Sequence, residues 1–268
     1  METSSTAPVS KSVREESSLR FYLSYLRSLL FTDPLIFLST AVLATAALVG
    51  SLFDSRGEWQ HGAARVWARL ILKISGVSVR VAGLEHVNPA EAMIFCANHP
   101  SAMDIPILFA NLPVQFRFLA KRELFMVPFL GWYMRRSGHI AVDRGRPREA
   151  LKSFDQAAAK VKEGCPVLLF PEGSRSRTGK LLPFKSGTFY LAIRAGVPLV
   201  PITLNGTRYV HKPDTYHVRS GITEMVIHEP IPTANLKVAN VAALSARVRQ
   251  QILSRLVPAA EWRSRNAR

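Results

Sequence analysis

The chain has 268 residues, of which 48% are hydrophobic, and it carries a formal net charge of +16. This composition excludes wholesale disorder and allows one sizeable packed domain with an appended segment. The charge predicts an anionic partner, for which nucleic acid, anionic lipid headgroups and acidic proteins all qualify.

Two further observations limit the possible partners and the possible kinds of site. Basic and aromatic side chains do not interleave as they do on nucleic-acid-binding surfaces, so we expect no nucleic-acid partner. Cys96 and Cys165 each lie in an apolar run, and neither belongs to a metal-ligand pattern such as C-x₂-C. Two buried reduced thiols and no metal site are the expectation.

The N-terminal region contains a long apolar run. Residues 1–18 are rich in Ser, Thr and charge, which predicts disorder. Residues 34–53 contain no charged side chain and are bracketed by Asp33 and Asp54. A helix of this length would cross a hydrocarbon layer of ~30 Å. A buried core helix is the alternative, whereas the position of the run and its flanks are atypical of a secretory signal.

Residues 57–76 form an amphipathic pattern of Trp and aliphatic side chains set against Arg and Lys. Such a helix suits the headgroup layer of a membrane, or equally the surface of a soluble domain. We therefore assign residues 19–76 to a helical membrane-anchoring segment. Whether its apolar helix spans the bilayer or re-enters one leaflet stays open, because basic residues follow on both sides.

From residue 77 to residue 268 short β-rich runs alternate with amphipathic stretches, which predicts an α/β domain. We expect a mixed, largely buried β-sheet flanked by helices. The predicted strands are residues 77–81, 92–98, 116–120, 139–143, 166–170, 198–204 and 224–228. The predicted helices include residues 148–163 and 238–256.

The first motif that carries chemistry is Asn-His-Pro-Ser-Ala-Met-Asp, residues 98–104, directly after a predicted buried strand. Pro100 keeps His99 out of the helical region and lets a helix begin after it, so that Asp104 in the first turn can reach back to His99. A carboxylate on one ring nitrogen fixes the tautomer and leaves the other nitrogen free as a base. A histidine that only caps a helix is the plainer alternative.

The second motif is Phe-Pro-Glu-Gly-Ser-Arg-Ser, residues 170–176. Its Gly173, Ser174 and Arg175 offer backbone amides, a hydroxyl and a guanidinium to a phosphate. Glu172 is unusual in an anion site and suits a substrate hydroxyl or an arginine. An ordinary polar turn is the alternative.

Three other stretches supply possible walls and ligands. Residues 138–148 are rich in arginine, and Arg144 at the strand end is the best second phosphate ligand. Residues 197–206 contain two prolines in an apolar run, which predicts an edge or irregular strand. Residues 121–134 are strongly apolar and could line an acyl-chain channel, press into lipid or belong to the core. Lys121 at their start could neutralise a phosphate.

The four blocks at residues 98–104, 138–144, 170–176 and 197–201 resemble, in order and spacing, those of the lysophospholipid acyltransferase family, which includes 1-acylglycerol-3-phosphate acyltransferases. The likeness covers roughly residues 75–210. Two positions depart from the family pattern. Ala141 replaces an aromatic residue, which leaves the headgroup or acyl preference open, and Ser174 replaces threonine but keeps the hydroxyl.

The resemblance implies transfer of a fatty acyl group from acyl-CoA or an acidic acyl carrier protein to a lysophospholipid, expected to be 1-acyl-sn-glycerol-3-phosphate. His99 would be the base and Asp104 its orienter. The acceptor would bind to the following residues: Lys121, Arg144, Glu172, Gly173, Ser174 and Arg175. Neither cofactor nor metal would be needed, and the domain would lie on the cytoplasmic face of a membrane.

Rival interpretations remain at this level. Another lysolipid acceptor fits the same motifs. A non-catalytic protein that binds anionic lipid or nucleic acid would explain the net charge of +16 without using His99. A phosphoesterase could use His99 and Asp104 together with the arginines.

Overall fold

The computed structural model describes residues 11–54, 56–143 and 146–266. Strands and helices alternate along this part of the chain. The strands are β1 (Val77–Ala82), β2 (Ile94–Ala97), β3 (Arg117–Lys121), β4 (Ile140–Val142), β5 (Val167–Leu169), β6 (Leu199–Asn205) and β7 (Gly221–Ile227). The α-helices are α1 (Lys11–Arg27), α2 (Asp33–Gly50), α3 (Glu58–Ser75), α4 (Asp104–Asn111), α5 (Leu130–Arg136), α6 (Pro147–Lys162), α7 (Gly187–Ala195), α8 (Thr207–Val210), α9 (Val241–Arg255) and α10 (Ala259–Asn266).

The seven strands form one sheet in the order β1-β7-β6-β2-β5-β3-β4. Strands β4, β3, β5, β2 and β6 run parallel, whereas β7 is antiparallel to β6 and parallel to β1. Strand β2 lies at the centre, where Ile94 is in register with Val167 of β5 and with Leu199 of β6. The predicted mixed α/β fold is confirmed, and each of the seven predicted strands is present. The carboxyl ends of β2 and β5 meet at the same edge of the sheet.

Helices cover both faces of the sheet. Alternate side chains of β2 point to opposite sides: Phe95 and Ala97 join one apolar cluster with α3 and α4, and Ile94 and Cys96 join another with α6, α7 and α9. This burial on both faces explains why the parallel strands read as continuous apolar runs. Helix α3, which begins at Glu58, buries Ala68 in the first cluster and is therefore part of the helical layer that covers the sheet. The sequence assigned this helix to the membrane-anchoring segment, residues 19–76.

Residues 19–50 form one helical run of 32 residues, in which α1 and α2 are joined by a π-helical turn, Ser28–Thr32. By length and composition, this run is the one helix among the described residues that could cross a membrane, and an 18-residue window within it has a mean hydropathy of 1.7. Only 11% of that window is buried in the protein, which does not fit the alternative of a core helix. Polar contacts fix it to the loop before β7: Val218 N–H donates to Ser28 Oγ at 2.8 Å, and Ser24 Oγ lies 3.0 Å from His217 Nε2.

Three expectations from the sequence differ from the structure. Cys96 and Cys165 were both expected to be buried, but Cys165 is only partly buried. The residues 197–206 were predicted to form an edge or irregular strand, and this is wrong, because β6 lies between β2 and β7 and is buried along its length. Pro201 in β6 and Pro198 just before it are compatible with a central strand because their carbonyl groups still accept hydrogen bonds from neighbouring strands. Pro198 accepts from Ile94 N–H at 3.0 Å and Pro201 from His228 N–H at 2.9 Å. Helix α1 begins at Lys11, so residues 11–18 are helical where disorder was expected, and residues 1–10 lie outside the described residues.

A buried imidazole stands where β4 begins. His139 Nδ1 accepts the backbone N–H of Phe118 at 2.9 Å, and the ring packs beside Phe118 and Tyr133. Burial, reinforced by the positive charge of Arg117, lowers the pKa of His139 to about 3. Because an imidazole that accepts a backbone N–H through Nδ1 must be unprotonated there, the geometry and the lowered pKa agree.

The lowered pKa predicts acid sensitivity. Above pH 6.5 His139 is neutral in both the folded and the unfolded chain. Below pH 6.5 the unfolded chain binds a proton at this residue and the folded chain does not. The free energy of unfolding therefore decreases as the pH is lowered, by up to about 1.4 kcal/mol per pH unit. His139→Asn keeps an acceptor for Phe118 N–H and removes the titration. We expect its thermal unfolding midpoint in detergent to fall less than that of the wild type between pH 7 and pH 4.5. Parallel curves for the two proteins would contradict the assignment.

Candidate active site

His99 and Asp104 form a hydrogen-bonded pair at the end of β2. Asp104 is the first residue of α4, and its Oδ2 lies 2.8 Å from His99 Nδ1. The Asp104 side chain is fully buried, whereas 14% of the His99 side chain is exposed. Asp104 Oδ2 also accepts the backbone N–H of Ser101 at 2.9 Å, which fixes the carboxylate. The pair therefore leaves Nε2 of His99 as the ring nitrogen available to a substrate.

The His99 imidazole is stacked on the ring of Phe170, with centroids 3.8 Å apart and planes 12° from parallel. Phe170 follows β5 directly and is stacked in turn on Phe118 at 6.0 Å. A ring held on one face by an aromatic and at one nitrogen by a carboxylate has little rotational freedom. Phe170 is in the second motif, but its role as the support of the imidazole was not predicted.

Two backbone hydrogen bonds join His99 to the turn after β5. The N–H of His99 donates to Glu172 Oε1 at 2.7 Å, and its carbonyl accepts from Ser176 N–H at 2.9 Å. The other oxygen of Glu172 accepts from Leu182 N–H at 2.7 Å. Glu172 is buried, and burial raises the pKa of its carboxyl group against the lowering effect of the two amide hydrogen bonds. Both Glu172 oxygens are thus used by the backbone, and the carboxylate braces the turn against His99.

Asn98 fixes the other side of the pair. Its Nδ2 donates to the carbonyl of Leu204 at 3.0 Å, and its Oδ1 accepts the N–H of Leu204 at 2.7 Å. Asn98 is 3% exposed, so these bonds are shielded from water. The amide side chain therefore extends the pairing of β2 and β6 by one residue and sets the position from which His99 departs.

The segment from Gly173 to Arg175, called the anion cradle below, borders the same cavity as His99. Gly173 has φ +78°, a conformation that a residue with a Cβ adopts only under strain. The Arg175 guanidinium lies 3.9 Å from a carboxylate oxygen of Asp214, and Arg177 lies 3.0 Å from the other. The Asp214 carboxylate thus bridges Arg175 of the cradle and Arg177 beside it.

The remaining predicted ligands differ in how they are placed. Lys121, the last residue of β3, lines the cavity and forms an ion pair with Glu123 at 2.9 Å. Arg144 lies outside the described residues. Its neighbour Asp143 pairs with Arg122 at 3.4 Å. The structure therefore brings together around one site each predicted residue that it describes, and their roles stay predictions.

The cavity has a volume of about 1030 Å³ and a lining of two chemical kinds. The polar part of the lining comes from His99, Lys121 and the anion cradle. The remaining wall is largely apolar, with side chains from α2, α3, α5 and the residues before α5, including Phe37, Ala44, Ala64, Leu124, Phe129 and Tyr133. This volume accommodates a ligand with one charged end and a hydrocarbon chain.

Known proteins resemble this chain in sequence. A family model described as Acyltransferase matches residues 78–205. A 1-acyl-sn-glycerol-3-phosphate acyltransferase of Chlamydomonas reinhardtii is 34% identical over 90% of this chain and 71% of its own length. One of Saccharomyces cerevisiae is 33% identical over 88% of this chain and 78% of its own.

A solved structure agrees. The 1-acyl-sn-glycerophosphate (LPA) acyltransferase PlsC of Thermotoga maritima superposes with a TM-score of 0.71, at 25% identity, over 87% of this chain and 98% of that one. The sheet, the residues at its edge and these likenesses define an acyltransferase. The chain belongs to the lysophospholipid acyltransferase family.

Some contributors to the site carry no signal in the sequence. Asp214 follows a proline in a polar loop, and only the folded chain brings it to Arg175 and Arg177. Ser101 donates from Oγ to the carbonyl of His211 at 2.7 Å, which links the His99 turn to the same loop. A pattern of nearby residues could not reveal either contact, because the partners are separated by more than thirty positions.

The two hydrogen bonds between the Asn98 side chain and the backbone of Leu204, called the Asn98 bridge below, predict the effect of replacing the side-chain NH₂ group by an oxygen. Asn98→Asp preserves shape but sets an oxygen against the carbonyl of Leu204, which should lower the free energy of unfolding by about 1–3 kcal/mol. The matched control is Asn88→Asp, because exposed Asn88 uses only Oδ1, for the N–H of Ala90, and the aspartate keeps that bond. Urea unfolding in detergent measures both. Equal stability of the two variants would show that the Asn98 bridge is dispensable.

Proposed function

We propose that this acyltransferase moves a fatty acyl group from an acyl thioester, either acyl-CoA or acyl carrier protein, to the free hydroxyl of 1-acyl-sn-glycerol-3-phosphate, giving phosphatidic acid. The observation that carries the proposal is the 2.8 Å bond between His99 and buried Asp104 beside a cavity that also meets the anion cradle. The Chlamydomonas and yeast relatives are named for this acceptor, which supports the choice of lysolipid.

The chemistry assigned to the pair is general base catalysis. With Nδ1 donating to Asp104, Nε2 of His99 takes the proton of the acceptor hydroxyl as its oxygen attacks the thioester carbonyl. The tetrahedral intermediate then expels the sulfur, the C–S bond breaks, and the proton on Nε2 passes to the departing thiolate. An ester and a free thiol result, and His99 returns to its starting state. Asp104 keeps the tautomer and stabilises the imidazolium.

Acceptor binding is assigned to the cradle. The phosphate would contact Arg175, the hydroxyl of Ser174 and the amides of the turn, with Lys121 as a further cation in the lining of the same cavity. Arg144 is kept as a further ligand. Glu172 acts as a positioning residue, since its oxygens already hold His99 and Leu182. Binding there would carry the acceptor hydroxyl to Nε2, and the fatty chain would follow the apolar wall.

Membrane association is part of the proposal. The exposed apolar helix of residues 19–50 borders the cavity through α2, so a lysolipid in the bilayer would be close to the apolar wall. The net charge of +16 favours an anionic surface and equally an acidic carrier protein. We place the catalytic domain at the cytoplasmic face.

The base assignment predicts a large loss on its removal. His99→Ala should lower kcat/KM by about 100-fold or more, because general base catalysis typically contributes that factor, while the protein still folds and associates with membrane. Release of free thiol from acyl-CoA in the presence of 1-acyl-sn-glycerol-3-phosphate measures the rate. His86→Ala, which changes a half-buried histidine after β1, is the control and should retain the wild-type rate. Normal transfer by the His99 variant would remove the mechanism.

The same assay separates the rival functions. A lipid-binding protein without activity releases no thiol from either donor. A phosphoesterase releases inorganic phosphate from the lysolipid without any thioester. A panel of lysolipids with other headgroups, run with acyl-CoA and with acyl carrier protein, identifies the acceptor and the donor.

The position of Asp214 predicts that its carboxylate competes with the acceptor phosphate for Arg175 and Arg177. Because its carboxylate lies against Arg175 and Arg177, the phosphate has to displace it. Asp214→Asn removes the charge and suits the native φ of +61°, which asparagine tolerates. We expect the KM for 1-acyl-sn-glycerol-3-phosphate to fall about two- to fivefold, the size of an exposed ion pair, with kcat little changed.

Asp155→Asn is the matched control, since Asp155 forms a similar exposed ion pair with Arg194, at 3.4 Å, on the other face of the sheet. Its KM should equal that of the wild type. A rise in KM for Asp214→Asn would show that the carboxylate orders the arginines for binding instead of competing with the ligand.

A further inference from the structure

An apolar turn projects from the face of the sheet that carries the cavity, and two of its residues, Phe129 and Leu130, also line that cavity. Residues 126–132, called the apolar turn below, connect the 3₁₀ helix Arg122–Met126 to α5. Three of its large side chains are mostly in solvent: Met126 is 74% exposed, Phe129 65% and Trp132 57%. Val127 and Leu130 are exposed as well. Contiguous exposed apolar side chains of this size mark a binding surface.

The exposure is built into the backbone. The N–H of Leu130 donates to the carbonyl of Pro128 at 2.7 Å, and Phe129 between them has φ +61° and ψ −53°. This is a γ-turn of the rarer form, in which the central residue has a positive φ and is strained, and it directs the Phe129 side chain outward. The N–H of Gly131 donates to the carbonyl of Val127 at 2.7 Å, which closes the turn further.

The base of the turn is fixed to the protein. The side chain of Phe125 is buried, and its carbonyl accepts a hydrogen bond from Arg135 Nη2. A Cβ on Gly131 would lie 2.1 Å from that carbonyl, so only glycine allows the two segments to approach so closely. The apolar side chains are therefore displayed by a braced scaffold.

The surroundings of the turn identify the chemistry of its partner. Exposed basic side chains flank it in sequence on both sides: Lys121, Arg122, Arg135 and Arg136. An aromatic and aliphatic tip with a basic rim is suited to the boundary between the headgroups and acyl chains of an anionic bilayer. The turn also shares a cavity with α2: Phe129 and Leu130 form one wall and Phe37 and Ala44 another. The turn is thus continuous with the surface assigned above to the membrane.

We propose that the apolar turn is a second membrane contact, which inserts Met126, Phe129 and Trp132 into an anionic phospholipid bilayer beside α2. The inference rests on the membrane association in the proposed function, but not on the reaction. With two separated contacts the protein cannot rotate about α2, so the part of the cavity that α2 and the turn both line is held against the lipid. A lysolipid then enters the cavity sideways, without leaving the hydrocarbon layer.

The test uses the full chain with a fluorescent reporter on the turn. Met126→Cys is labelled with the environment-sensitive dye NBD in a Cys165→Ser background, because Cys165 is partly exposed and Cys96 is buried. The matched control carries the label at Val238→Cys, which is 54% exposed in another 3₁₀ helix, Val238–Asn240, leading into α9 on the other face of the sheet. Vesicles of phosphatidylcholine and phosphatidylglycerol are added, and flotation reports binding.

We expect vesicles to shift NBD emission at position 126 to the blue, to raise its intensity, and to make it quenchable by nitroxide lipids. Emission at position 238 should stay unchanged. Emission at 126 that remains that of water, while the protein floats with the vesicles, overturns the inference and leaves α2 as the anchor. Equal shifts at both positions also overturn it. No flotation removes the membrane association and this inference together, whereas loss of acyl transfer alone affects only the proposed reaction.

Discussion

The site depends on the parallel pairing of β2 with β5, because this pairing delivers the segment after each strand to one edge of the sheet. There the backbone of His99 exchanges two hydrogen bonds with the next segment, to Glu172 Oε1 and from Ser176 N–H. The imidazole also stacks on Phe170, the residue that opens that segment. His99 and the anion cradle are consequently one unit. In the reaction that we propose, fixing two substrates at this unit would contribute about 7–11 kcal/mol, which is much of the barrier for a reaction between them.

Charge is arranged in two layers around this unit. Asp104 and Glu172 are buried, and each accepts a backbone N–H, that of Ser101 at Asp104 Oδ2 and that of Leu182 at Glu172 Oε2. Neither carboxylate faces an arginine among the described contacts. Arg175 and Arg177 stand at the surface instead, and both pair with Asp214. Buried carboxylates therefore fix the backbone geometry, whereas the ligand contacts that we propose fall to exposed guanidiniums, so the proposal separates the stability of the site from its affinity.

The sequence predicted the seven strands and the reach of Asp104 to His99, because both follow from local rules: apolar periodicity in one case and Pro100 before a helix start in the other. It misplaced β6 at an edge, since the local rule that proline is excluded from central strands ignores carbonyls that still accept hydrogen bonds. The bridge from Asn98 to Leu204 joins positions 106 apart, and it depends on strand order, which no local pattern contains. The outward direction of Phe129 likewise depends on a strained turn that its composition does not indicate.

The net charge of +16 and the anion cradle have different physical ranges. At physiological ionic strength exposed charges are screened over about 8 Å, so the overall charge acts at approach to an anionic surface and contributes little to discrimination inside the cavity. Among the described residues three lysine or arginine side chains line the cavity, and each is paired with a carboxylate: Lys121 with Glu123, and Arg175 and Arg177 with Asp214. A ligand must offer more than negative charge to replace those partners. A phosphate does so by geometry, because its several oxygens can meet an arginine, a hydroxyl and backbone amides at once, which one carboxylate cannot.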